Sequence, residues 1–135
     1  MTTGETNLPL LLRQMDPELH SGVYVFSTHR DPGAPLIASS IAAFRENEGT
    51  TLVLPLAEAE RLGLPYGYEA AWITLRVHSA LTAVGLTAAV ATALAEAGIS
   101  CNVMAGYYHD HLFVDHALAV LAMDVLRRLS QEVKP

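Results

Sequence analysis

Residues 84–114 read VGLTAAVATALAEAGISCNVMAGYYHDHLFV, and this stretch decides the fold. Leu86, Ala89, Val90, Ala93, Leu94 and Ala97 fall near i, i+3, i+4 spacing, which predicts a helix over Val84 to Ala97, and Gly98 stands where a C-terminal cap glycine belongs. Ile99 to Tyr108 and Leu112 to Val114 then predict strands on either side of Tyr108-His109-Asp110-His111. Downstream, Ala117 to Leu129 reads as a helix led by Asp115 and ended by Arg127 and Arg128, charges that suit the two ends of a helix dipole. Upstream, Ala71 to His78 alternates Ile73, Leu75 and Val77 with Trp72, Thr74, Arg76 and His78, the period of a strand with one packed face. The face of Trp72, Thr74 and Arg76 is expected to meet water or a partner, and it motivates a homodimer.

The first half is less regular. Asn7 or Thr6 can cap a short helix over Leu8 to Met15, and Asp16-Pro17 reads as a second cap-and-proline start to a single turn. Val23 to Thr28 predicts a strand, His29 to Pro35 an exposed loop with an Asp31-Pro32-Gly33 turn, and Ile41 to Arg45 with Thr50 to Leu54 a hairpin. Leu56 to Leu62 has helical spacing and is followed by Gly63. The two halves thus share a rough plan of strand, hairpin and helix. The expected class is α+β, with ferredoxin-like antiparallel sheets, helices on one face, and two tandem lobes at 1–69 and 70–135.

Composition narrows the function classes. Of the 135 residues 51% are hydrophobic and 16% charged, so an ordered core is expected. The net charge of -6, with only eight Lys and Arg, argues against a nucleic-acid partner. Cys101 is the single cysteine and no charged-then-apolar leader is visible, which fits a reducing cytoplasm. The longest weakly charged stretch, Leu81 to Ala95, is short of the roughly 20 apolar residues that span a bilayer, so no membrane association is expected. There is no phosphate loop, GxSxG or CxxC, and no nucleophile beside a base; a catalyst is not expected, nor is a cofactor.

From Trp72 onward the order of strand (WITLRVHS), loop, Gly85 at a helix start and AEAGI leading into a second strand resembles an ACT domain. GETNL at 4–8, FRENEGTTLVLP at 44–55 and the 84–114 stretch resemble short bacterial proteins with tandem ACT-like domains, and the lobes are similar to those of the eukaryotic cytosolic arginine sensor. Thr82 and Val84 stand where many ACT domains carry Asp and Pro. No fourth strand is visible after the last helix, since Ser130 to Pro135 reads as a polar tail. The N-terminal lobe is expected to be truncated, with a loop over 29–40 in place of its first helix and a strand shared between lobes or subunits.

The resemblance implies a small polar ligand, such as an amino acid, at the loop Ser79 to Gly85 with Val84 and Leu86, completed by Cys101, Asn102 and Val103 on the facing strand. It also implies that Asp110 pairs with a ligand's ammonium or guanidinium group. Read from the residues alone, Gly85 either admits a ligand to the amide groups of a helix start or merely permits tight packing. Cys101 is in phase with Ile99, Val103 and Ala105 on the core side, so a buried thiol competes with a reactive one. His109 and His111, two apart on a strand, form an alternative metal site if a third ligand joins them, as in a metal-dependent hydrolase. A polar turn explains the same residues, and a protein-interaction adaptor without a small ligand is the remaining alternative.

Overall fold

The structure is a computed structural model that describes residues 4–133. Its packing groups the chain into two compact units, one contiguous over 21–70 and one composite, joining residues up to His20 to those from Ala71 onward.

With α1 (Leu8–Arg13) and β1 (Pro17–Leu19) belonging to the composite unit, the contiguous unit runs β2 (Tyr24–His29), α2 (Ala34–Ser39), β3 (Ala42–Glu46), β4 (Gly49–Pro55), α3 (Leu56–Arg61) and the beginning of β5 (Glu69–Leu75). Its strands lie in the order β3-β4-β2-β5, with Glu69 and Ala70 pairing antiparallel to β2. That is a ferredoxin-like βαββαβ arrangement. Val25, Leu52, Leu54 and Ala59 are fully buried between the sheet and the helices, with Leu36, Leu56 and Leu64 packed against them. The predicted hairpin is present, turning between the paired residues Glu46 and Gly49. The expected loop over 29–40 is not: it contains α2, so this unit has its first helix. The sequence hides that helix because it is six residues long, starts behind the Asp31-Pro32-Gly33 turn and buries none of its own residues fully.

The composite unit runs α1 (Leu8–Arg13), β1 (Pro17–Leu19), the rest of β5, α4 (Leu86–Glu96), β6 (Cys101–Ala105), β7 (Asp110–Asp115), a short 3-10 turn at His116–Leu118, and α5 (Ala119–Glu132). β5 lies between β7 and β1, and β6 lies outside β7. The order is again ferredoxin-like. The strand missing after the last helix is therefore supplied by β1, whose Pro17, Glu18 and Leu19 pair antiparallel with Leu75, Thr74 and Ile73. Asp16-Pro17 does not start a helical turn as expected. Asp16 takes a positive φ of 40° and turns the chain into β1, and an edge position there tolerates the proline's missing donor. Asn7 does cap α1, its Oδ1 accepting from the Leu10 amide at 3.0 Å. α5 extends through Glu132, so Ser130 is not tail but helix, and its Oγ donates to the Arg13 carbonyl. Lys134 and Pro135 lie outside the described residues.

The composite core sits between this sheet and α1, α4 and α5. Leu86, Val90 and Leu94 present the buried stripe of α4, while Ile73 and Leu75 from β5 and Leu112 and Val114 from β7 meet it from the sheet. Leu11 and Met15 are 0% exposed in the same cluster, so the N-terminal segment is part of this core and not an appendage to it.

Candidate functional site

The backbone of residues 76–85 leaves β5 and must reach the start of α4. The N-terminal segment holds it there. The Glu5 amide donates to the His78 carbonyl at 2.8 Å and the Ala80 amide donates to the Glu5 carbonyl at 3.0 Å. The Ser79 and Ala80 backbone passes so close to Gly4 that no side chain fits at that position. Glu5 folds its carboxylate back onto the Asn7 and Thr6 amides, which hold it below the ordinary glutamate range. In the GETNL segment, Gly4 and Glu5 thus secure the loop, and Asn7 caps the helix that follows.

Between this loop and the β6–β7 hairpin lies a pocket of about 130 Å³. Ser79, Ala80, Leu81 and Ala83 form its loop wall, Gly85, Leu86 and Thr87 its floor at the start of α4, and Ala105 and Asp110 its far side. Larger clefts exist, about 290 Å³ between α4 and α5, about 320 Å³ beside α2 and α3, and about 350 Å³ at the β3–β4 hairpin, but none includes a residue predicted to bind the ligand. The smaller pocket differs in what converges on it. No side chain caps α4, so the helix start presents backbone amides rather than a satisfied cap. Across from them, burial raises the Asp110 carboxyl above its ordinary value, with His111 and His109 pulling the other way.

The structure brings together Ser79, Gly85, Leu86 and Asp110 of the predicted residues. Val84 points away, 84% exposed, and Asn102 is exposed on its strand. Cys101 and Val103 pack against the core, and burial pushes the Cys101 thiol up, away from the reactive thiolate. At Gly85 itself the space beside the Cα is filled: a Cβ built there would stand 2.8 Å from Leu8 Cδ2. Gly85 also has φ +108°, which L side chains rarely adopt. The packing explanation therefore accounts for this glycine, and the open volume lies toward Ser79 and Asp110. Sequence reasoning had no signal for Leu8, which reaches Gly85 from far along the chain.

Among the described residues no three His, Cys, Asp or Glu side chains converge to hold a metal ion. His111 is instead tied to Trp72, whose Nε1 donates to its Nδ1 at 3.1 Å, and His109 Nδ1 lies 3.4 Å from the Val77 carbonyl. The face expected to be open is also covered: Thr74 is 5% exposed, and Trp72 is stacked under His20 with ring centroids 3.6 Å apart. Only Arg76 of that face is exposed, and it is held by Asp16 at 2.7 Å and by Glu18 at 3.6 Å. Among the described residues no helix is long and apolar enough to cross a membrane.

Two family models, each described as an ACT domain, match residues 3–71 and 68–128. The chain belongs to the ACT-domain family. It carries two ACT domains in tandem, with overlapping matches that meet on β5. A solved Vibrio cholerae protein of unknown function, described as a possible transport protein, is 50% identical over 92% of this chain and 96% of its own, with a TM-score of 0.82. The ACT fold also aligns with the regulatory subunit of aspartate kinase from Thermus flavus, at 9% identity and TM-score 0.59 over 84% of this chain and 95% of that one. Escherichia coli aspartokinase III, solved with aspartate and ADP, aligns at 12% identity and TM-score 0.63, over 86% of this chain and 33% of that one. No curated protein matches the chain.

Proposed function

We propose that this tandem ACT protein is a ligand-sensing regulatory module without catalysis of its own, and that its ligand is an amino acid seated between the start of α4 and Asp110. The observation that carries the reading is the pairing of opposite demands in one pocket: uncapped amides on one side, a partly buried carboxylate on the other. A ligand carboxylate complements the amides and a ligand ammonium complements Asp110, so a zwitterion satisfies both. The fold likeness to aspartate kinase regulatory subunits supports a regulatory role. A homodimer belongs to the same reading, because Leu81 and Val84, 69% and 84% exposed beside the pocket, offer apolar surface that a second copy would cover. Sedimentation that finds a monomer at micromolar concentration removes that part. The cytoplasm is the compartment proposed, in keeping with one free cysteine.

A thermal-shift screen of the common amino acids tests the ligand class. At 100 times its dissociation constant a ligand stabilises by roughly 2.7 kcal/mol, a readily measured shift. No movement with any amino acid overturns the assignment. The responsible ligand is further expected to bind more weakly as the pH falls through the raised Asp110 value, because a protonated carboxyl no longer attracts an ammonium group. Calorimetric titration should show this dependence in the native protein and its loss, with weaker binding throughout, in Asp110→Asn. Unchanged affinity in that variant moves the ammonium elsewhere.

A further inference from the structure

Four side chains of the composite unit form a hydrogen-bonded chain on the sheet face away from the helices. Trp72 Nε1 donates to His111 Nδ1 at 3.1 Å, Thr74 Oγ1 lies 3.0 Å from the same nitrogen, and His20 Nε2 lies 2.7 Å from Thr74 Oγ1. An indole N–H can only donate, so His111 Nδ1 must present a lone pair and the neutral ring carries its proton on Nε2. Thr74 then donates to His111 and accepts from His20, so the donors and acceptors run in one consistent direction. A proton arriving on His111 Nδ1 would face the Trp72 N–H, which can only donate, and would turn the Thr74 hydroxyl from donor to acceptor, leaving that hydroxyl's own proton without the nitrogen it had served. Thr74, 5% exposed, has almost no access to water as a replacement partner.

What the chain holds is β1. This strand is only three residues long and lies at the sheet edge. His20 follows it, donates its backbone amide to the Trp72 carbonyl at 2.9 Å, and lays its ring on the indole at an interplanar angle of 16°. We propose that Trp72, His111, Thr74 and His20 form a proton-sensitive latch, which keeps β1 on β5 while His111 is neutral and releases it when His111 is charged. The charges facing the latch are few. His20 stands across from His111, with Glu18 3.7 Å from its Nε2, while His109 and Asp110 flank His111 on its own hairpin, and Arg76 is occupied by Asp16 and Glu18. Burial first, then His109 and His20, lower the His111 value, against a smaller opposite pull from Asp110. The latch contribution is therefore complete above the ordinary histidine value of about 6.5 and is lost as the pH falls from there through the lowered folded-state value.

Trp72 is the chain's one tryptophan, so its emission reads the latch directly. In ligand-free protein, the emission maximum is expected to move reversibly to longer wavelength as the pH falls from about 8 to about 5, while far-ultraviolet dichroism holds steady. The wavelength is the proper readout, because the intensity of an indole stacked on a histidine ring can change without the indole becoming exposed. His111→Gln, whose amide oxygen can accept from Trp72 and cannot titrate, should keep the neutral-pH maximum at every pH. A wild-type maximum that stays fixed across the window, or one that moves identically in His111→Gln, overturns the latch. Should that variant not fold, the Trp72 indole proton of the native protein provides an independent readout in a magnetic-resonance titration. An inflection matching that of His111 supports the proposal and a flat resonance overturns it.

Discussion

A chain that begins at Ser21 is expected to lose the cooperative folding of the composite unit. The deletion removes β1 from the edge of β5 and takes Leu11, Leu12 and Met15 out of the core, where they are 0%, 8% and 0% exposed. Burying one such side chain is worth about 1.5–3 kcal/mol, so the loss of all three approaches the whole of a typical stability of about 5–15 kcal/mol. It also opens the β5 edge that β1 had covered. Urea unfolding followed through Trp72 emission is the direct check, since that indole sits under His20 in the intact chain. A truncated protein whose Trp72 still reports a sharp transition at the native midpoint would show that the N-terminal segment is dispensable.

Gly85→Val carries the second largest expected cost. A φ of +108° is strained for any L residue and most of all for a β-branched one, which costs about 1–3 kcal/mol. The new side chain also starts 2.8 Å from Leu8 Cδ2, and forcing apart a packed contact costs about 1–3 kcal/mol more. The second share depends on Leu8, so Gly85→Val should cost less in a Leu8→Ala background than alone, while the backbone share persists. Denaturant midpoints of the two single variants and the double variant separate the shares. Strict additivity would mean that Leu8 is not the obstacle. Because this substitution damages the fold, Asp110→Asn is the cleaner probe of the pocket.

How much of this was legible in the sequence depends on the range of the interactions. α4 was readable because its stripe of Leu86, Val90 and Leu94 repeats within one element and Gly98, at φ +76°, ends it. β5 was readable from its alternation, and the β3–β4 hairpin from Glu46 to Gly49. β1 was not, because Asp16-Pro17 is locally a helix start and only pairing with residues 73–75 makes it a strand. α2 was hidden because six residues with no fully buried face leave no periodic trace. The pocket was half legible: the loop and helix start are local, and Asp110 faces them, but Cys101 and Val103 follow their strand's alternation into the core. That Trp72 and Thr74 are covered rather than open follows from His20 and His111, residues distant in sequence.

The placement of β1 has a consequence for biosynthesis. A ribosome delivers the contiguous unit in one uninterrupted run, so its strands can pair as soon as Ala70 has emerged. The composite unit is different: its opening helix and edge strand leave the exit tunnel first, yet their seats on β5 and α5 are translated only later. Leu11 and Met15 must therefore stay solvated, or shielded by a chaperone, until α5 has been translated. Nascent chains of this protein should be most vulnerable to proteases and to mispairing in that interval.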